Sequence, residues 1–224
     1  MAPSKSKSKD AQLKLDISAD PLKVAAAAVS KLATSTPQEV ESNATLALVK
    51  AMRSAAQGSA VIVSLIGLAM QDEPQLDKTP EELDKMALDK LEEAKGHVID
   101  SIKYGEIASK LLSSDTSAMG KFAKLIAEAT PMAALMTFAA VGDKVDVTPE
   151  EDKLLSDAVD RMEGVMTGMM EMAMGAMADP QSIKVSAWLD AFGKAAVSDL
   201  MVSAQNDLLK GLAGLMRGGD EQGA

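Results

Sequence analysis

The chain has no cysteine, one histidine and five aromatic side chains in 224 residues. Without cysteine there is no disulfide framework, no thiolate nucleophile and no thiolate zinc site. With His97 alone, a di-iron bundle site built from two Glu-x-x-His motifs is excluded, and Glu93 stands four residues before His97 rather than three. Aromatic and β-branched residues are the strand formers, and their scarcity beside abundant alanine and 16 methionines makes helix the default for nearly every segment. No P-loop, strand-borne GxGxxG or GxSxG elbow is present. The acidic turn Gly142–Asp146 has valines where a calcium loop needs oxygen ligands, and Ser6-x-x-Lys9 lies in a terminal tail that cannot preorganise a catalytic pair. These absences lead us to expect no catalytic residue, no cofactor and no metal.

Charge is present but lopsided. The net charge is −10, yet residues 1–19 carry Lys5, Lys7, Lys9 and Lys14 against Asp10 and Asp16, a balance of +2. The rest is therefore −12, which repels phosphate backbones. Nucleic-acid binding is not expected except through the basic tail. In that tail Leu13, Leu15 and Ile17 alternate with polar residues, so no apolar signal core follows the lysines, and a location in the cytoplasm or inside a larger assembly is expected.

Helix starts are written plainly. Thr36-Pro37-Gln38-Glu39, Thr79-Pro80-Glu81-Glu82 and Thr148-Pro149-Glu150-Glu151 each place a capping threonine, a proline at the first helical position and a glutamate at the third. Asp20-Pro21 and Asp179-Pro180 share the first two features. The spacings, 43 and 69 residues, mark recurrent capping rather than a repeat. The expected fold class is all-α, a bundle of about six helices, several of about 25–35 residues, joined as antiparallel hairpins. The segments are 21–34, 37–71, 80–112, 117–141 with a bend at Pro131, 149–178, and 180–216. Residues 1–19 are expected to form a flexible tail, 20–217 one domain, and 218–224 a disordered end.

Two segments are more apolar than a surface helix requires. Residues 54–71 contain no charge, and Ala56, Ala60, Ser64 and Gly67 form a ridge of small side chains that permits close approach of another backbone. Seven methionines fall between Met162 and Met177; Met162, Met166, Met170 and Met174 follow one face, beside a GxxxG at Gly164 and Gly168. Methionine adapts to irregular partners, and glycine in a helix sacrifices stability for closeness. These ten residues are the candidate interface. The expected function is a non-enzymatic structural or assembly protein, possessing a homo-oligomeric or helical protein partner; the alternative is insertion of an apolar hairpin at a lipid surface. Far-UV circular dichroism should show a helical spectrum without a resolvable strand component, and a substantial strand signal would reject this architecture.

Overall fold

The computed structural model describes residues 20–69, 79–140, 144–176, 187, 190, 191 and 193–195. The described residues are all-α, with no strand among them. The elements are α1 (Pro21–Leu32), α2 (Pro37–Glu41), α3 (Ala44–Ala69), α4 (Pro80–Leu112), α5 (Ala118–Ala139) and α6 (Pro149–Ala176). The tail 1–19, the end 218–224 and most of the expected 180–216 helix lie outside the described residues; those described between 187 and 195 are helical.

The capping chemistry places the helix starts. Thr36, Thr79 and Thr148 each receive the amide of Glu39, Glu82 or Glu151 on the hydroxyl, and each glutamate carboxylate accepts the threonine amide at 2.8 Å. Asp20 accepts from the Leu22 amide at 3.1 Å. The expected 37–71 helix is two helices. Asn43 accepts the amides of Thr45 and Leu46, both at 3.1 Å, and so begins α3 afresh after the short α2. A side chain that satisfies two orphan amides offers the backbone an alternative to continuing the earlier helix. Ser117 caps α5 through the Gly120 amide at 3.0 Å. A Cβ on Gly120 would lie 2.3 Å from the Asp115 side chain, which folds over it to accept the Ser117 amide.

Small residues set the spacing of the bundle. On α3, Ala47, Ala51, Ser54 and Gly58 are buried against α4. A Cβ on Gly58 would stand 3.4 Å from the His97 Cβ, and the Ser101 hydroxyl donates to the Ala51 carbonyl at 3.0 Å. Contacts of Gly58 with Ala94 and Val98, and of Ala51 with Ser101, make α3 and α4 antiparallel. The approach of α4 to α5 is closer. A Cβ on Gly105 would sit 2.6 Å from the Ala127 carbonyl oxygen. That carbonyl is four residues before Pro131, which has no N–H to give it. The proline therefore frees an oxygen that lies against a residue of α4 without a side chain, while α5 continues through Pro131 as a single helix.

The central core joins Ala55 and Ile62 of α3, Leu91, Ala94, Val98 and Ile102 of α4, Ala134, Leu135 and Phe138 of α5, Val145, and Ala158 of α6. A second cluster, Ala25, Ala28 and Val49, seats α1 on α3, with Phe122 of α5 packed against it. Although α4 is the most heavily charged segment in the sequence, one face of it is fully internal and meets α2, α3, α5 and α6.

Gly105→Ala should lower stability, because the added methyl meets backbone rather than a movable side chain; overpacking of this kind costs ~1–3 kcal/mol. Thermal unfolding checks it, and an unchanged melting temperature would show that α4 and α5 are not held this close.

Candidate functional site

Helix α6 is anchored along one side. Ala158 and Val165 are buried, and Leu154, Leu155 and Met162 are half-buried against the central core. Two polar ties supplement them. Arg161 is paired with Glu106 of α4 and also donates to the Asp157 carbonyl at 2.8 Å. Lys95 of α4, its side chain 12% exposed, donates to the Asp146 carbonyl at 2.7 Å and lies 2.8 Å from Glu92 and 3.7 Å from Glu151. Lys95 thus grips the connection leading into α6. The bond to Glu92 leads in raising the lysine above its ordinary range, opposed by desolvation and reinforced by Glu151. Glu151 is held below the usual carboxylate range, first by the Thr148 amide and further by Lys95.

The other side of α6 is unpartnered among the described residues. Met166, Met170 and Met174 are 63%, 67% and 62% exposed, with Met169 at 45% and Val159 at 51%. Met166, Met170 and Met174 follow at four-residue intervals, and Val159 lies seven residues before Met166, so all four share a face. Burial of a large apolar side chain is worth about 1.5–3 kcal/mol, which a face of this kind leaves unused. Asp152 and Glu163, both exposed, lie on it, with the exposed Asp160 and Glu171 along its edge.

The structure divides the expected contact residues into three groups. Met166, Met170 and Met174 form the open stripe, whereas Met162 turns into the core. Among the described residues the glycine pair forms no helix crossing: a Cβ on Gly164 meets nothing described within 4 Å, and one on Gly168 meets the Leu125 side chain at 3.1 Å. On α3, Ala56 and Ala60 are half-buried and Ser64 is exposed, its hydroxyl donating to the Val61 carbonyl at 2.6 Å; Gly67 falls in the last turns of the helix. The ridge in close contact with α4 is the neighbouring one, Ala47–Ala51–Ser54–Gly58. Both ridges are made of small residues at helical spacing, so α3 alone does not distinguish them. The distinguishing signal is on α4, where Ala94, Ser101, Gly105 and Ala108 supply a matching small, buried face.

Nothing described forms a catalytic constellation. Among the described residues no three histidine, aspartate or glutamate side chains gather as a metal site. A cleft between α4, α5 and α6, lined by residues that include Glu106, Glu128, Pro131 and Arg161, has room for about one water. Its charges are already engaged: Glu106 by Arg161, and Glu128 by the Ser109 hydroxyl at 2.7 Å.

No family profile, no curated protein and no solved structure matches this chain.

Two tests follow from this geometry. Gly164→Leu adds bulk in open space and removes a helix glycine, a gain of up to ~1 kcal/mol, whereas Gly168→Leu must displace Leu125. The first variant should melt at or above the parent temperature and the second below it; the reverse order would contradict the placement of α6. The depressed Glu151 contributes stability at neutral pH that is lost as pH falls from the ordinary carboxylate range through its lowered value. Acid titration of melting should show this loss, and Glu151→Gln should flatten the acid limb, whereas Thr148→Ala, which keeps the amide bound to Glu151, should reduce stability by ~1 kcal/mol at neutral pH and leave most of the limb in place. An unchanged acid limb would detach Glu151 from the effect.

Proposed function

We propose that the protein is a non-enzymatic structural component that self-associates, or packs into a larger helical assembly, through the methionine face of α6. The observation that carries this reading is the exposed run Val159–Met166–Met170–Met174 on a helix whose opposite side is already seated in the core. Soluble chains seldom leave such a contiguous apolar face bare unless something covers it. Methionine suits the purpose, since its flexible thioether fits irregular or changing partners. Gly164, open and in mid-helix, supports the same reading: a glycine there weakens the helix and relieves no crowding among the described residues.

Association with a lipid surface is the competing reading, and one observation favours it. Ala44–Leu65 and Gly120–Ala139 are long and apolar enough to cross a membrane by length and composition. Half of the first window and a third of the second are buried inside the bundle, so insertion would require these helices to leave their present partners.

Light scattering on the eluting chain, beside flotation with liposomes, separates the two. Assembly predicts a mass above the 23.3 kDa chain that rises with concentration. Met166→Glu with Met170→Glu should return the protein to monomer while preserving its helical spectrum, because both side chains already face solvent. A chain that remains monomeric throughout, or assembly unaffected by the double substitution, would refute the role assigned to this face. Flotation of the parent chain would transfer the reading to lipid.

A further inference from the structure

We propose that Met166, Met170 and Met174 are a modification site for neutral peroxides, and that their conversion to methionine sulfoxide closes the α6 face to assembly. This rests on the reading of that face as an interface and adds what regulates it.

The chemistry starts from an absence. A thiolate is ordinarily the side chain that a peroxide attacks first, and the chain has no cysteine. Its thioethers, 16 of them, become the main target. A thioether sulfur carries no proton at ordinary pH, so neighbouring charges do not switch its nucleophilicity as they switch that of a thiol. Access decides which methionine reacts.

The structure ranks that access. Met52, Met132 and Met162 are half-buried. Met52 packs on the cluster shared by α1 and α3, Met162 packs on the central core, and Met132 lines the cleft beside Arg161. Met166, Met170 and Met174 are 62–67% exposed and stand on successive turns, ~6 Å apart along the axis. Three open sulfurs are thus presented side by side. Met136 of α5 is equally open but lies away from them, eleven residues beyond Leu125, the α5 neighbour of Gly168, or ~16 Å along that helix.

The surroundings select the oxidant. Asp152 and Glu163 lie on the face, with Asp160 and Glu171 along its edge. These carboxylates repel anionic oxidants and leave a neutral one, hydrogen peroxide or an organic hydroperoxide, unopposed. The sulfur lone pair attacks the terminal peroxide oxygen, so that an S–O bond forms as the O–O bond breaks. The proton on the transferred oxygen passes to the departing one, which leaves as water or as the alcohol. Sulfur loses two electrons and the peroxide gains them.

The product changes what the face can bury. A sulfoxide oxygen needs a hydrogen-bond donor once water is removed. On the open helix water supplies it, so the fold is unaffected. Beneath an apolar partner, three such oxygens on adjacent turns would be stripped of their donors together. The half-buried methionines are shielded, so a dose that modifies the face spares the core.

The test uses the full chain. Below its assembling concentration, a limiting dose of hydrogen peroxide followed by tandem mass spectrometry should show sulfoxide at Met166, Met170, Met174 and Met136 before Met52 and Met162. After removal of the peroxide, light scattering should find self-association weakened by at least about tenfold, with the helical spectrum unchanged. Methionine sulfoxide reductases acting on both epimers should restore it. Met166→Leu with Met170→Leu and Met174→Leu keeps the face apolar and removes its sulfur, so this variant should assemble equally before and after the dose. Met136→Leu should stay as sensitive as the parent. Reaction of Met52 and Met162 as fast as the α6 stripe overturns the proposal. So does assembly that persists on a fully oxidised face, or a triple leucine variant that loses assembly as the parent does; both would leave the assembly reading standing. A parent chain that is monomeric at every concentration before any peroxide is added sinks the assembly reading itself, and the switch falls with it.

Discussion

The closeness of α4 to α5 at Gly105 is the constraint from which most of the architecture follows. A chain with so few aromatic residues cannot fill wide gaps between helices, so it brings the helices together until alanine suffices. The carbonyl of Ala127, released by Pro131, lies where any side chain at position 105 would have to be. With these axes close, Ala108 and Ala127 become core residues, and Ala47 of α3 joins them in one cluster. Dispersion between many small contacts replaces the few large ones that an aromatic core would supply.

This packing also explains why α4, the most heavily charged segment, is the hub. Its acids and lysines occupy one side and its small residues the other. The internal face sets Leu91, Val98, Ile102 and Tyr104 among Ala94, Ser101, Gly105 and Ala108, and these small residues contribute through proximity rather than through transferred area. The longer apolar stretch of α3 looks more central, yet its last described turns leave Val63 and Ser64 exposed.

Helix starts were legible because capping is local chemistry: a threonine, a proline and a glutamate within four residues determine the backbone whatever surrounds them. The break at Asn43 was equally local but easily overlooked, since Ser42-Asn43 stands in a run that otherwise reads as helix. The choice between the Ala56–Ala60 and Ala51–Gly58 ridges was not local at all. It depends on which face of α4 arrives, and no periodicity within α3 encodes that. The methionine stripe shows both sides of the problem. Its periodicity was visible at once, and Met166, Met170 and Met174 do share an open face. Met162 obeys the same spacing but points to the core, because α6 rotates Ala158 and Val165 toward α5, and the stripe drifts around the helix by the difference between four residues and one full turn.

The ordering of contacts bears on how the protein forms. Neighbours in the sequence are neighbours in space: α3 packs on α4, α4 on α5, and α5 on α6. Closing such hairpins takes little chain entropy, and topologies of this type fold quickly. Each helix that emerges during synthesis finds its partner already made, with α1 and α2 waiting beside α3. The helix bearing the exposed methionines comes after α3, α4 and α5, so its open face appears only once the helices it packs on have been made. A growing chain built in this order spends little time with its stickiest segment unsupported, which limits the opportunity for premature aggregation.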